Sequence, residues 1–185
     1  MISFRRRHLP HYDSDHATYF VTACLAGSVP AAGRLRRCEQ QSFEESDEWL
    51  DMRSPVRLLA DRRLARIVCE EICREADVRY ELHAYAVMAS HIHLVFTPLA
   101  QWTRPAIMQS IKGRSARRCN AALGRCGGFW QSESYDRVVR DSEEFERFVN
   151  YVEFNPVKAG LCLLPEEWEF SSARSRTGFS LSKDK

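Results

Sequence analysis

No stretch of the 185 residues approaches the ~20 consecutive apolar residues that a membrane-spanning helix requires, which excludes a helical membrane protein. There is no CxxC pair anywhere, and the seven cysteines (Cys24, Cys38, Cys69, Cys73, Cys119, Cys126 and Cys162) are scattered and odd in number. That spacing argues against a zinc ribbon, a dithiol redox centre or a closed disulfide framework, and for the reduced thiols of a cytoplasmic protein. The amino-terminal MISFRRRHLPHYD has basic residues but no apolar run, so it does not read as a secretory signal. No internal repeat or low-complexity block is visible. The sharpest absence is local: from Leu99 to Ser132 there is neither Asp nor Glu.

What is present suits one domain with an ordinary apolar content and a net charge of +2. Residues 1–17 read as a basic arm carrying Arg5, Arg6 and Arg7, residues 18–174 as a single folded unit, and residues 175–185 as a flexible tail. Within the unit, β-branched and aromatic residues over 18–26 predict a first strand. Residues 27–60 then form a variable insertion containing an acidic run, either an ordered surface element or a loose loop, and whether it binds DNA, binds a partner or blocks a dimer surface stays open. Asp61 caps a helix to about Ala76, and residues 79–88 and 91–98 form two strands joined through Ala89 and Ser90. Thr103 caps a second helix to about Leu123, and residues 129–139 enter a short strand. Asp141, with Glu144 as capping-box partner, starts a third helix that Pro156 is expected to stop. This order predicts an α+β fold of the ferredoxin-like (RRM-like) kind, an antiparallel sheet with helices packed on one face.

Chemistry concentrates at His91-Ile92-His93. Residues two apart on a strand project from one face, so both imidazoles can converge on one metal ion while Ile92 points into the core. The plainer reading is a pair of hydrogen-bonded, partly buried histidines. Tyr151 and Asn155 share one face of the third helix, one turn apart. Two imidazoles, an amide oxygen and a phenol suit Mg²⁺ or Mn²⁺ better than a closed structural zinc site. A divalent ion can polarise a phosphodiester, and a phenol close to a cation can become a nucleophile. Spacing alone leaves open that Tyr151 is an ordinary helix tyrosine and Asn155 a helix-terminal residue.

The acid-free segment carries Arg104, Lys112, Arg114, Arg117, Arg118 and Arg125. Charge of one sign along a helix and its following loop is costly unless a polyanion lies nearby, which points to nucleic acid. Trp102, Phe129 and Trp130 flank it and are either base-stacking platforms or core residues. Lys158 is either a phosphate contact or a plain surface lysine.

The segments YFVTACL (19–25), AYAVMASHIHLV (84–95), FWQSESYDRVVRD (129–141), FVNYVEFNPVKAGL (148–161) and EWEFSSAR (167–174) occur in an order that resembles the single-tyrosine HUH transposase superfamily. Within it the likeness is greatest to the REP-associated tyrosine transposases and their insertion-sequence relatives. The resemblance implies a metal-dependent enzyme that cuts and joins single-stranded DNA near hairpins. It implies His91, His93 and Asn155 as metal ligands and Tyr151 as the nucleophile of a 5′-phosphotyrosine intermediate. Lys112, Arg114, Arg117, Arg118 and Lys158, with the arginines of the arm, are the expected DNA contacts. Tyr135 falls in the SESYDR segment and is expected to pack or touch DNA rather than attack it. The turn before the histidines is Ala-Ser where relatives often have Pro-Asn. A protein that binds hairpin DNA or RNA without cutting it would use the same basic and aromatic residues but would not need the His-His-Tyr-Asn set. A phosphodiesterase using water would leave free ends and no protein–DNA adduct.

Overall fold

The computed structural model describes residues 3–6, 10–13, 17–28 and 43–176. In chain order it has β1 (Ser3–Arg6), β2 (Pro10–Asp13), β3 (Tyr19–Cys24), α1 (Phe43–Arg53), α2 (Arg62–Cys73), β4 (Tyr80–Val87), β5 (His91–Pro98), α3 (Arg104–Ala122), β6 (Tyr135–Val138), α4 (Ser142–Lys158) and the short α5 (Ser172–Arg176). β1 and β2 pair antiparallel, giving the basic arm a hairpin form within the described residues. The remaining strands form one antiparallel sheet in the spatial order β4-β5-β3-β6. The α+β class read from the sequence is the observed one.

β3 and β5 are buried almost throughout because both faces of the sheet are covered. Tyr19, Val21 and Ala23 alternate with Phe20 and Thr22, as Ile92, Leu94 and Phe96 alternate with His91, His93 and Val95. The first set packs against α2 and α3 through Leu64, Val68, Ile72, Ile107 and Ile111. On the other face Phe20, Ala84, Ala86 and Val95 meet Phe148, Val149 and Val152 of α4. The expectation of helices on one face therefore holds for α2 and α3, while α4 crosses the opposite face. That second face is itself apolar and has to be buried. β4 keeps its pattern by a bulge at His83: Leu82 opposes Phe96 and Ala84 opposes Val95, so the extra residue moves the inward set from Tyr80 and Leu82 to Tyr85 and Val87.

The caps form where the sequence places them. Asp61 accepts from the Arg63 amide at 2.9 Å, Thr103 from the Ala106 amide at 3.4 Å and Asp141 from the Glu144 amide at 2.8 Å. The Glu144 carboxylate reaches back to the Arg140 amide (2.9 Å). Pro156 does not stop α4, which runs on to Lys158. A proline near the helix end forfeits only the bond to the Val152 carbonyl, and its fixed φ suits the helix. The chain leaves the helix at Gly160, whose φ of +69° is open to glycine at little cost.

The flanking aromatics are structural. Phe129 and Trp130 lie in the core, the Trp130 indole donates to Ser115 Oγ (2.9 Å), and the Arg79 guanidinium covers the Trp102 ring at 4.0 Å. The segment after α4 folds back, as Trp168 Nε1 donates to the Val87 carbonyl (3.1 Å) and Phe170 is buried. α1 arises from the acidic part of the insertion and docks by Leu50 against Cys24, with Ser90 Oγ donating to the Leu50 carbonyl (3.0 Å). Among the described residues no helix is long and apolar enough to cross a membrane.

Candidate functional site

β5 opens with His91, so His91 and His93 stand on the α4 face of the sheet while Ile92 enters the core behind them. Both rings are fully buried, and their Nε2 atoms face each other at 2.9 Å. Each is held from behind by a hydroxyl: His91 Nδ1 lies 3.0 Å from Ser90 Oγ, and His93 Nδ1 lies 2.9 Å from Thr22 Oγ1 on the neighbouring strand. Thr22 and His93 are direct partners in the β3–β5 ladder, so sheet register sets this contact.

α4 lays Tyr151 and Asn155 over the pair. Asn155 Nδ2 is 3.3 Å from His93 Nε2, and Asn155 Oδ1 is buried without a hydrogen-bond partner. The Tyr151 ring meets His93 edge-on, with centroids 5.8 Å apart, and Lys158 Nζ sits 4.7 Å from the centre of the tyrosine ring. The sequence brought these four residues to one helix and one strand, and the structure brings helix and strand together.

Two residues of the centre come from α1, in the insertion whose role the sequence left open. The Asp47 carboxylate lies 3.1 Å from His93 Nε2 and accepts the Tyr151 hydroxyl proton in a hydrogen bond. Asp51 follows one turn later, 4.0 Å from His91 Nε2. Burial raises the Asp47 carboxyl pKa, but His93 first, then His91 and Tyr151, outweigh it and hold the carboxyl below its ordinary value. Asp51 is pushed up to about 7 by burial, with His93 lowering it, Asp47 raising it and Arg57 lowering it. The available signal was the Asp47–Asp51 spacing of four, ahead of any knowledge of where the helix would dock.

The donor set fits a divalent cation. Two imidazole lone pairs cannot face each other at 2.9 Å without a proton or a cation between them. Their Nδ1 atoms rest on the Ser90 and Thr22 hydroxyls, the kind of hydrogen bond that fixes the ring plane of a metal-ligating histidine. The unpaired Asn155 oxygen exchanges places with its amide nitrogen on rotation of the amide, adding an oxygen donor. Asp47 brings a carboxylate, and its ligand atom and those of both histidines lie within 4.8 Å of one another. Nitrogen and oxygen donors without thiolate suit Mg²⁺ or Mn²⁺.

The expected DNA contacts are dispersed. Arg5 and Arg6 lie in β1, opposite His11 and Pro10, and Arg7 lies outside the described residues. Lys112, Arg114, Arg117 and Arg118 belong to α3, which packs on the sheet face away from the histidines. Lys112 Nζ donates to the Ser132 carbonyl (3.1 Å). Arg114 Nε meets Glu71 at 2.7 Å and its Nη1 meets Glu75 at 2.9 Å, while Arg118 meets Glu71 at 2.8 Å and Glu70 at 2.5 Å. The acid that balances these two arginines is the flank of α2, so their charge requires no outside polyanion. Lys158 of this set sits beside Tyr151, its Nζ 4.7 Å from the ring centre. Tyr135 flanks Phe20 on the edge strand, 6.5 Å between ring centres, and is partly exposed.

Comparison with known proteins places the chain in a family. The family described as "Transposase IS200 like" matches residues 53–155, from the end of α1 through Asn155. The REP-associated tyrosine transposase of Escherichia coli (strain K12) is 26% identical over 98 residues, covering 52% of this chain and 56% of that protein. The chain thus matches little more than half the length of this curated relative. A solved REP-associated tyrosine transposase bound to a REP hairpin superposes over 97% of this chain and 87% of its own, at 20% identity and a TM-score of 0.60, which establishes a shared fold. With over half of its length matched, including both histidines, the tyrosine and the asparagine, the chain belongs to the IS200-like transposase family.

Proposed function

We propose that the protein is a metal-dependent endonuclease and strand transferase of single-stranded DNA, cutting near hairpins through a covalent 5′-phosphotyrosine intermediate on Tyr151. The observation that carries this reading is the meeting of a phenol, two imidazoles and an unpaired amide oxygen in one buried centre. A core built only for stability gains nothing from leaving that amide oxygen unpaired. Membership of a transposase family and the shared fold support it.

In this reading His91, His93 and Asn155 hold Mg²⁺ or Mn²⁺. A divalent ion there would withdraw charge from the phosphodiester oxygen and favour phenolate over phenol. Tyr151 gives up its proton, its oxygen bonds to phosphorus, and the bond from phosphorus to the 3′ oxygen breaks. The departing strand takes up a proton as a free 3′-hydroxyl, and the phosphotyrosine keeps the bond energy for rejoining. Residues 18–174 form the catalytic domain, acting on DNA in the cytoplasm. Lys158 and the arginines of the arm, Arg5, Arg6 and Arg7, are the cations we assign to DNA, in preference to the paired arginines of α3.

The test uses single-stranded oligonucleotides copied from the palindromic DNA flanking the coding region, end-labelled and incubated with protein and Mn²⁺ or Mg²⁺. A band that survives denaturation, requires the metal and disappears with Tyr151→Phe is the expected result. Hairpin binding with no adduct on any oligonucleotide would instead establish a binding protein, and free ends without adduct would establish hydrolysis by water.

A further inference from the structure

The centre is closed. His91 and His93 are 0% exposed, Asn155 2% and Asp47 3%, so no route from solvent reaches the imidazole pair. Beneath it lies the sheet and beside it lies α4, both held by core packing. Among the described residues the remaining wall is α1, docked through Leu50 and Trp49 beside Cys24, a hydrogen bond from Ser90 and the contacts of Asp47 and Asp51 with the histidines and Tyr151. A phosphodiester flanked by two nucleotides cannot enter a space with no accessible surface.

What Asp47 does there is informative. In the catalytic reading a scissile phosphate must bring an anionic oxygen up to the imidazole pair, across the ion the pair would hold, and its phosphorus to the Tyr151 hydroxyl. The Asp47 carboxylate already makes both contacts, one at 3.1 Å to His93 Nε2 and one from the Tyr151 hydroxyl. The helix that carries it, FEESDEWLDMR, contains five acidic residues and a single basic one, the charge sign of the substrate. The family match begins at Arg53, where α1 ends, so Asp47 and Asp51 lie outside the matched residues.

We propose that α1 is an intramolecular cover in which Asp47 occupies the place of the scissile phosphate, and that DNA must displace it before Tyr151 can react. This rests on the catalytic reading above for its last step and on burial alone for the first. α1 competes with DNA for the same imidazoles and the same phenol. Resting protein is masked, and Tyr151 is held by Asp47 until the helix leaves.

Leu50→Cys places a thiol against Cys24, and oxidised glutathione would join the two and hold α1 down, with mass spectrometry confirming the link. Two readouts follow. Carbethoxylation of His91 and His93 by diethyl pyrocarbonate, followed by peptide mass spectrometry, needs no catalysis. We expect it to slow roughly tenfold in the cross-linked form and recover on reduction, because access requires local opening. Leu50→Asp, which undocks the helix without a cross-link, should speed it by a similar factor. Equal carbethoxylation rates in cross-linked, reduced and Leu50→Asp proteins would overturn the cover. The second readout is the covalent adduct, expected to vanish on cross-linking and return on reduction, with Leu50→Cys/Cys24→Ser insensitive to the oxidant. Adduct formation by the cross-linked protein at the reduced rate would equally overturn it. Absence of adduct from every form would count against the catalytic reading, and the carbethoxylation rates would still decide the cover.

Discussion

Thr22 and His93 face each other across β3 and β5, and the threonine hydroxyl lies 2.9 Å from His93 Nδ1. The contact leaves Nε2 as the atom turned toward the centre and fixes the ring plane. Thr22→Val keeps the shape and removes the oxygen. Mn²⁺ affinity should fall ~10–100-fold, the usual result of losing the hydrogen bond that orients a ligating imidazole. Thr22→Ser should retain most of it. Calorimetric titration of Mn²⁺ into both variants checks this, with circular dichroism confirming that the sheet is intact.

Glu71 is 1% exposed and takes Arg114, Arg118 and Arg74 at 2.7, 2.8 and 3.2 Å. Burial raises its pKa, but Arg118 and Arg114, then Arg74, outweigh that and hold the carboxyl below its usual range. A folded pKa below the unfolded one means stability that is complete above the unfolded value, near 4.5 for a glutamate, and lost as the pH falls through the folded one. Glu71→Gln should therefore lower unfolding free energy by about 2 kcal/mol at pH 7, the scale of lost hydrogen bonds to a charged group. The gap between variant and parent should shrink toward pH 3. Urea midpoints at the two pH values measure both effects.

Much of this was legible because it is local. Alternation along HIHLVF set the histidines on one face, four-residue spacing set Tyr151 under Asn155, and side-chain caps marked three helix starts. The unreadable parts depend on contacts between distant segments. Asp47 meets Tyr151 across 104 positions of sequence. In the chain it is one acid among several in a stretch that reads as a solvated surface. The basic α3 looked unbalanced because its acids, Glu70, Glu71 and Glu75, come from α2 and the turn after it, some forty residues earlier. The side of the sheet that α4 crosses was equally hidden, since an apolar stripe on a helix does not say which face of a sheet it meets.

Trp130 separates a stacking role from a structural one. Its indole donates to Ser115 Oγ, which in turn donates to the Ile111 carbonyl at 2.7 Å. Trp130→Phe keeps a ring in the core and removes that donor. Stability should drop by about 1 kcal/mol, the net value of one buried hydrogen bond. Hairpin affinity in a fluorescence-anisotropy titration should stay within about twofold, since loss of a base-stacking ring costs ~1–3 kcal/mol.

Lys158 and Tyr151 offer the sharpest distinction between binding and chemistry. The ammonium sits 4.7 Å from the centre of the phenol ring, an arrangement worth about 1 kcal/mol when partly exposed. A cation there orients the ring. If Lys158 works on the tyrosine, Lys158→Met should slow adduct formation roughly fivefold at saturating hairpin DNA, the rate equivalent of that energy. Affinity would then change little, and Lys158→Arg would restore part of the rate. If it works instead as a phosphate contact, the saturated rate would stay level while affinity and its salt dependence both fell. Single-turnover kinetics with a salt series on the same variants separates the two, because only the first role follows the DNA into the bound state.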